Sequence, residues 1–340
     1  MAGNIQEKIF LKIVFAKLIN RGPARAKMPM KITEKIYKEY VKNYEPFPWD
    51  RREDVPFPEF RGKHTLLISF IRYYKVLEYL QSCCSGKPVE SIVDVGPFPG
   101  IMVQLIKEFM GKEIKYMGVG LHFSDEYLLA MEKLAAKLFS TDFDPEFIEA
   151  EECKEWPVEE NDVCLLLDVI EHLVNPVYCL DKINHSLKVG GHLILTTDNM
   201  TPFGRVYSMA KTGGSPNVHP MQSSLFYRGA WRPHFREYSK DELIFYLQHC
   251  GFKVVKHEYF ERKQACFYLD KKGNVFEKSK YTGLKGAIKK IIVTSVPHLR
   301  DHQILIAEKK IDYKDNVCNR PQPTHSKEEW LKMRAEAKVY

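Results

Sequence analysis

The residues between Val89 and Gly100 carry the first sign of chemistry in this chain. Apolar residues on both sides of Asp94 predict a buried strand that ends at Gly96, and after Gly100 apolar residues recur at helical spacing. In a strand, glycine-rich turn and helix, the backbone N–H groups of the turn and the helix N-terminus face a bound ligand. The stretch therefore predicts a cofactor site, with an ordinary strand–helix turn as the alternative.

A second stretch, residues 163–176, combines an apolar strand with polar residues at its end. The strand ends in Asp168, and Glu171, His172 and an Asn-Pro pair follow. Ligands bind at the carboxyl ends of strands in open α/β sheets. A histidine has an unperturbed pKa of about 6.5, which suits a general base at neutral pH. His172 is therefore a candidate for orienting or deprotonating a hydroxyl group, with a structural role as the alternative.

Strands and helices alternate around these two stretches. The predicted strands are residues 91–95, 115–121, 146–150, 163–167 and 192–197, and the predicted helices between them are residues 100–110, 125–139 and 175–187. A capping box from Ser239 to Glu242 opens a further helix. Two more strands, 252–260 and 302–308, are expected to pair antiparallel at the sheet edge. Apolar strands that alternate with helices indicate a parallel sheet covered on both faces.

This order predicts a Rossmann-like, doubly wound α/β fold. We expect a mostly parallel seven-stranded sheet with an antiparallel edge strand and an N-terminal helical extension. The chain divides into three parts, a basic helical arm with an aromatic linker (1–63), a main domain (64–310) and a polar C-terminal tail (311–340). Ahead of the first strand, helices are expected at residues 5–19, 31–43 and 64–81.

The composition indicates a globular protein. Of the 340 residues, 44% are apolar and 28% are charged, and no apolar run approaches the roughly 20 residues that cross a bilayer. The eight cysteines are scattered and form no Cys-x-x-Cys pair. We therefore expect reduced thiols in a cytoplasmic protein, with no metal site.

The net charge of +7 belongs to the N-terminal arm. Residues 1–43 contain ten lysines and arginines against three glutamates, which leaves 41 basic and 41 acidic residues in the remainder. An enzyme of nucleic acids would carry a basic stripe on its main fold, so nucleic acid is not the expected partner. The arm suits a peripheral contact with an anionic membrane surface or a protein, with packing on its own domain as the alternative.

Residues 89–198, with the helix and strand pair that follow, resemble class I S-adenosylmethionine-dependent methyltransferases of the broad small-molecule type. The first motif of that family is an acidic residue followed by Gly-x-Gly-x-Gly. Asp94, Gly96 and Gly100 match it, whereas Phe98 occupies the position of the central glycine. The resemblance implies that Asp94 lies near the amine of the donor's methionine group and that Phe98 forms a wall against the ligand.

The second motif of the family departs from its usual form here. In the family, the second strand ends in an acidic residue that accepts hydrogen bonds from both ribose hydroxyls. Gly120 stands in that position and Leu121 follows it. His122 or Asp125 is the candidate substitute, and a weaker or altered ligand is the alternative.

Two further stretches complete the cofactor site that the resemblance implies. Glu152 lies five residues before a proline and is implied to accept from the exocyclic amine of adenine, while the Cys153 backbone meets a ring nitrogen. A charged surface loop is the alternative for this stretch. Asp168 and Val169 open the Asp-Val-Ile-Glu-His sequence at the end of the fourth strand and are also implied to face the cofactor.

The segment after the fifth strand commonly builds the acceptor pocket in this family. Here residues 199–238 are rich in glycine, proline and aromatic residues, and they supply the acceptor candidates Arg205, His219, Tyr227, Arg232 and His234. Aromatic walls with a few cationic side chains suit a polar or anionic acceptor, such as a glycan, a phosphorylated metabolite or a phenol.

The resemblance implies a methyltransferase that uses S-adenosylmethionine, releases S-adenosylhomocysteine and methylates an oxygen, with a nitrogen or carbon as the alternative, of a small-molecule, glycan or lipid-linked acceptor. Holding donor and acceptor together supplies most of the rate enhancement, so a strong base is not required. Phe98 and Gly120 leave a non-catalytic binding or scaffold protein as the alternative. A nicotinamide dehydrogenase is disfavoured, because both the Gly-x-Gly-x-x-Gly sequence and its acidic partner are missing.

Overall fold

The computed structural model describes most of the central part of the chain. The described residues are 32–44, 69–83, 88–121, 123–144, 160–214, 234–261, 265–269, 275–279 and 281–311. Among them, no helix combines the length and the apolar character that crossing a membrane requires. The predicted helix 5–19, the predicted strand 146–150 and nearly all of the predicted tail lie outside these residues.

The strands form one large sheet and a separate hairpin. They are β1 (Ser91–Val95), β2 (Lys115–Gly120), β3 (Ala136–Ser140), β4 (Asn161–Leu167), β5 (Leu187–Asp198), β6 (Phe252–Phe260), β7 (Ala265–Leu269), β8 (Val275–Ser279) and β9 (His302–Lys309). The large sheet has the order β3-β2-β1-β4-β5-β9-β6, and β7 pairs with β8. Strands β1 to β5 run parallel, and β9 is antiparallel to β5 and β6. The predicted seven-stranded, Rossmann-like fold is confirmed.

The helices of the described residues are α1 (Glu34–Asn43), α2 (Phe70–Cys83), α3 (Ile101–Phe109), α4 (Asp125–Lys133), α5 (Pro176–His185), α6 (Phe203–Thr212), α7 (Lys240–His249) and α8 (Gly283–Ser295). Short 3-10 turns lie at Ile170–His172 and Pro297–Leu299. The predicted capping box of α7 is confirmed, because the Ser239 hydroxyl accepts the Glu242 N–H while the Glu242 carboxylate accepts the Ser239 N–H. Local polar residues thus fix where the helix begins.

Different helices cover the two faces of the sheet. Helices α1 to α4 pack on the face that Ile92 contributes to, and α5 and α7 pack on the face that Val93 contributes to. Helix α1 belongs to this core, since Tyr37 is fully buried and its ring centroid lies 4.6 Å from that of Phe70. The second predicted helix of the basic arm therefore packs on the protein's own domain.

The predicted helix 125–139 is too long. Helix α4 ends at Lys133, Ala135 adopts a left-handed backbone with φ of 52°, and β3 then pairs with β2 in parallel. The residues between 134 and 139 have good helix propensity, but pairing with the sheet edge outweighs propensity here. A tertiary contact thus converts a predicted helical turn into a strand.

The strained turn at Ala135 gives a prediction for stability. Ala135→Gly is expected to raise the free energy of unfolding by about 0.5–1 kcal/mol, because an L-residue in this conformation costs roughly 1–2 kcal/mol and glycine gives up part of that gain as chain entropy. Urea unfolding measures the change. Ala130→Gly, inside α4, is the matched control and is expected to lower stability by about 0.5–1 kcal/mol. Equal losses in both variants would contradict this account.

The other differences between the predicted and the observed elements lie in segments without a clear sequence pattern. The Gly190-Gly191 turn lies inside β5, which begins at Leu187 and shifts its register against β4. Helix α6 lies within residues 199–238, where no helix is predicted, and β7, β8 and α8 lie within residues 261–301. These elements leave the order of the sheet unchanged.

Candidate functional site

The candidate site lies at the carboxyl ends of the parallel strands. The strand order reverses between β1 and β4, because the chain proceeds from β1 outward to β3 and then returns to β4. A crevice opens at such a switch point in open α/β sheets, and ligands bind there. The sequence predicts candidate residues at the ends of β1, β2, β4 and β5, and the topology brings these four strand ends together.

Asp94 is a buried carboxylate next to the end of β1. Its side chain is 2% exposed and accepts a hydrogen bond of 2.5 Å from the Tyr116 hydroxyl on β2. Burial raises the pKa of Asp94 to about 7, although the hydrogen bond from Tyr116 and the charge of Arg72 act in the opposite direction. A carboxyl group that changes charge near neutral pH therefore lies at the switch point.

The turn after β1 needs glycine at two positions. Gly96 has φ of 77°, and a Cβ atom there would lie 2.7 Å from Cγ2 of Val169, the residue predicted to face the cofactor after β4. Gly100 has φ of 92° and is the N-cap of α3. Phe98, between them, is 53% exposed, and its ring centroid lies 5.8 Å from that of Tyr127. The turn thus combines left-handed backbone at two glycines with one exposed aromatic ring.

An aromatic ring occupies the space beside Gly120 at the end of β2. A Cβ atom on Gly120 would lie 2.5 Å from the Phe123 ring, which stacks on Tyr127 with centroids 5.4 Å apart. An acidic side chain at position 120 would therefore displace Phe123. Leu121 is exposed next to this ring, and Asp125 is exposed in the first turn of α4. In this fold, the ring of Phe123 thus occupies the space that an acidic side chain at position 120 would need.

Asp168, after β4, belongs to a buried network of charges. It has φ of 53°, and its Oδ1 accepts hydrogen bonds of 2.8 Å from Thr196 and from Nε2 of His302, while Arg72 forms an ion pair with its other oxygen. The opposite ring nitrogen of His302, which is fully buried, lies 2.8 Å from Oδ1 of Asp198. The carboxylate predicted to face the cofactor is thus also bound by three groups of the protein.

Two histidines and several carboxylates lie beside this network. The rings of His172 and His234 meet edge to face, with centroids 4.7 Å apart. Nδ1 of His234 lies 3.3 Å from Oε1 of Glu237, which also forms a bidentate ion pair with Arg205. Glu171 is 1% exposed and accepts a hydrogen bond of 2.8 Å from the Thr197 hydroxyl. The structure therefore brings together two predicted residues, His172 and His234, from distant parts of the sequence.

Charges in this cluster shift the protonation of its members. Burial, followed by the charge of Asp198, raises the pKa of Glu171. Burial lowers the pKa of His234, but the hydrogen bond to Glu237 and the charges of Glu171 and Asp198 outweigh it, so the pKa of His234 is raised above its ordinary value. The imidazole of His234 therefore holds its proton more tightly than an unperturbed imidazole does.

Several predicted site residues have no described position, and several unpredicted residues do. The predicted residues outside the described part of the chain are His122, Glu152, Cys153, His219, Tyr227 and Arg232. Sequence reasoning missed Arg72, Tyr116, Asp198, Glu237 and His302, which the fold places at the site. Asp198 carries a signal that was available, because it ends a predicted strand at the carboxyl edge of the sheet.

Comparison with known proteins agrees with this arrangement. A family model described as a methyltransferase domain matches residues 69–257, which is more than half of the chain. A search of curated protein sequences finds no match.

Solved structures similar to this chain include several described as methyltransferases, some of them S-adenosylmethionine-dependent. An S-adenosylmethionine-dependent methyltransferase from Archaeoglobus fulgidus is 18% identical to this chain with a TM-score of 0.43. The match covers 74% of this chain and 96% of that one. The 1,6-didemethyltoxoflavin-N1-methyltransferase of Burkholderia thailandensis, with bound 1,6-didemethyltoxoflavin and S-adenosylhomocysteine, has 13% identity and a TM-score of 0.44, and the match covers 85% of this chain and 95% of that one. A putative methyltransferase of Haloferax volcanii, in complex with the Trm112 activator, has 13% identity and a TM-score of 0.41, with 74% and 96% coverage.

Proposed function

The chain belongs to the methyltransferase-domain family, and from this premise we propose that it uses S-adenosylmethionine and methylates an oxygen of a small-molecule, glycan or lipid-linked acceptor. The observation that carries the proposal is the buried carboxylate of Asp94 beside the left-handed turn at Gly96, at the switch point of the sheet. When bound, the donor supplies an electrophilic methyl group on its sulfonium. The residues of the chain bind and orient the donor and the acceptor, and they accept the proton that the acceptor loses.

Asp94 and Arg72 suit the two charged groups of the donor's methionine moiety. The Asp94 carboxylate is a partner for an ammonium group, and the guanidinium of Arg72 is a partner for a carboxylate. Arg72 is 6% exposed, and its charge already acts on Asp94. The residues present therefore fit the amino-acid end of S-adenosylmethionine. We propose that Gly96 and Gly100 let the backbone approach that end closely.

The ribose and adenine end is bound differently from the family pattern in this proposal. Phe123 occupies the space of the missing acidic side chain, so ring contacts from Phe98 and Phe123 replace charge-assisted hydrogen bonds. Asp125 and Leu121 flank the same strand end. An aromatic wall suits the flat face of a purine. We therefore expect a cofactor site that depends on stacking more than on hydrogen bonds to the ribose.

His172 and His234 are the proposed proton acceptors. Methylation of a hydroxyl group releases its proton, and an imidazole with a pKa near the working pH accepts it effectively. His172 is half-buried beside His234, at the end of β4 next to the switch point. Arg205 is held by Glu237 and shapes this cluster. The acceptor then lies between the histidines and the donor's methyl group, which supplies the near-attack geometry.

Two observations favour a second candidate, a non-catalytic methyltransferase-fold protein that binds or scaffolds a partner. Phe123 fills the position of the ribose-binding acid, and the Asp168 carboxylate is bound by Arg72, Thr196 and His302. A protein that no longer bound the cofactor would tolerate both features. We rank this candidate second, because neither change removes Asp94 or the turn at Gly96.

Three further expectations stay proposals. They are the division into domains, the cytoplasmic location and a peripheral contact through residues 1–43. The core packing of α1 supports a structural role for the second half of this arm. A membrane or protein contact therefore falls to residues 1–31, which lie outside the described part of the chain. We propose a small-molecule or glycan acceptor as the principal partner.

Calorimetry with S-adenosylmethionine and S-adenosylhomocysteine tests the proposed function. We expect binding in the micromolar range, weakened roughly 10- to 150-fold by Asp94→Ala, because a charge-assisted hydrogen bond contributes about 1.5–3 kcal/mol. Asp241→Ala, at an exposed aspartate in the first turn of α7, is the control and is expected to bind normally. A folded protein that binds neither ligand at millimolar concentration would refute the proposal and favour the scaffold.

A further inference from the structure

We propose that Glu171, His172 and His234 form a binding site for one divalent transition-metal ion on the acceptor side of the crevice. One donor atom from each of the three residues lies within 4.8 Å of the others. Zinc and similar ions bind nitrogen and oxygen donors at about 2.0–2.2 Å, which places two ligands roughly 3–4 Å apart. Small side-chain rotations therefore bring the three donors onto one ion.

The backbone already joins the two segments that supply these ligands. The carbonyl oxygen of Glu171 accepts the N–H groups of Phe235, at 2.7 Å, and Arg236, at 3.1 Å. The 3-10 turn after β4 is thus fixed to the residues next to His234. The side chain of Glu171 is also fixed, because the Thr197 hydroxyl donates a hydrogen bond to one oxygen of its carboxylate. A site held in place before the ion arrives loses little conformational entropy on binding.

The orientation of His234 is that of a metal ligand with a supporting carboxylate. Its Nδ1 lies 3.3 Å from Oε1 of Glu237, and Arg205 holds that carboxylate in a bidentate ion pair. Metal-binding histidines generally donate one ring N–H to a carboxylate, which fixes the ring and leaves the other nitrogen for the ion. Donation from Nδ1 to Glu237 leaves the lone pair on Nε2 of His234.

A second possible set, formed by Asp198, His234 and Glu237, suits a metal less well. Glu237 is already paired with Arg205, and Oδ1 of Asp198 lies within hydrogen-bond distance, 2.8 Å, of Nδ1 of His302. A metal ion would have to displace these partners. We therefore assign Glu237 the supporting role.

The charges at this edge of the sheet give an independent reason to expect a cation. Asp168 forms an ion pair with Arg72 and Glu237 forms one with Arg205, while Oδ1 of Asp198 lies 2.8 Å from Nδ1 of His302. In the part of the chain that the structure describes, no lysine or arginine forms an ion pair with Glu171, although it is 1% exposed. Burying a carboxylate without a cation is unfavourable. A bound metal ion would supply a permanent positive charge there, in addition to the imidazole of His234 that already interacts with Glu171.

Two imidazoles and one carboxylate favour a particular class of ion. Imidazole suits zinc, iron, nickel and copper, whereas magnesium and calcium prefer oxygen ligands alone. Three protein ligands leave positions open for water or a substrate oxygen, as in catalytic metal sites. The donors come from segments far apart in sequence, which explains why cysteine spacing gives no sign of this site.

The role of the ion deepens the proposed function and rests on it. An acceptor hydroxyl bound at an open position would become more acidic and lose its proton to water, so that the two imidazoles act as ligands when the ion is bound and as proton acceptors only in its absence. Its oxygen would then form the bond to the methyl carbon while the carbon–sulfur bond breaks, so that the donor leaves as a neutral thioether. Binding of the ion itself does not depend on that role, and it is tested separately.

Titration of the metal-free full-length protein with Co²⁺ tests the site. We expect one equivalent to bind, with visible absorption bands of the bound ion, and Zn²⁺ to displace it. His234→Ala is expected to weaken binding at least 100-fold, and Glu237→Gln 10- to 100-fold, since loss of a supporting partner costs that much. His249→Ala removes an exposed histidine at the end of α7 and is expected to bind normally.

The outcomes separate the metal site from the proposed function. A folded wild-type protein that binds no Co²⁺ or Zn²⁺, or a His234→Ala variant that binds them unchanged, would overturn the metal site. Where His234→Ala does not fold, His172→Ala at its half-buried position gives the same test. Calorimetry with S-adenosylmethionine on the metal-free protein is the separate readout, because donor binding there supports the methyltransferase assignment whatever the metal result.

Discussion

Replacing His302 by alanine is expected to lower the free energy of unfolding by about 2–5 kcal/mol, because two mostly buried carboxylates each lose a hydrogen-bond partner at a cost of about 1–3 kcal/mol. His302 is fully buried, and its two ring nitrogens lie 2.8 Å from carboxylate oxygens of Asp168 and Asp198. Without the ring, these carboxylates lose their shared donor, and a cavity remains between β5 and β9. Urea or guanidinium unfolding at neutral pH measures the loss.

His192→Ala is the matched control for this prediction. His192 lies on the same pair of strands, opposite Glu308, and is half-buried. Its replacement is expected to change stability by less than about 1 kcal/mol, as is usual for partly exposed positions away from buried networks. If both variants lose the same small amount of stability, the charge network contributes nothing beyond packing.

The His302 network also shows what the sequence alone does not contain. Its members Arg72, Asp168, Asp198 and His302 come from α2 and from the ends or starts of three strands. Only the pairing of Asp198 with His302 across β5 and β9 brings the two acids to one ring. From sequence, Arg72 is one charge on a helix, and no local pattern distinguishes it from an exposed one. Buried ion pairs between distant elements need the fold before they can be recognised.

Features that depend on a few consecutive residues could be predicted. The strand at Asp94, the turn at Gly96 and the start of α3 follow one another within about ten residues, and each has a local cause. The sheet order then follows from the alternation of strands and helices, which leaves few topologies. Position 120 shows the limit, because the absence of an acid is visible in the sequence but the ring of Phe123 in its place is not.

The affinity for S-adenosylmethionine is expected to rise about thirtyfold between pH 5.5 and pH 8, because Asp94 changes charge within this range. Burial raises the pKa of Asp94 to about 7, so only a few per cent of the chains carry the carboxylate at the lower pH. An ammonium group binds the ionised form, and the apparent affinity follows the ionised fraction. Tyr116 and Tyr127, which also lie around this carboxyl, have raised pKa values and stay neutral throughout. Calorimetry across this pH range measures the slope.

Asp94→Asn separates this effect from titration of the ligand's own amine. The amide keeps the shape of the side chain and can still accept from Tyr116, but it cannot ionise, so any pH dependence of binding that persists in the variant belongs to the ligand.

The stability of the protein is expected to change with pH in the opposite direction to its affinity for the donor. The pKa of Asp94 in the folded protein lies above its ordinary value of 3.8, so the folded state holds more protons between about pH 4 and 7 and the wild type loses stability as pH rises through that window. The Asn variant should lack this loss. Parallel stability curves for the two proteins would mean that Asp94 is already ionised in the folded state, and the binding slope would then have another source.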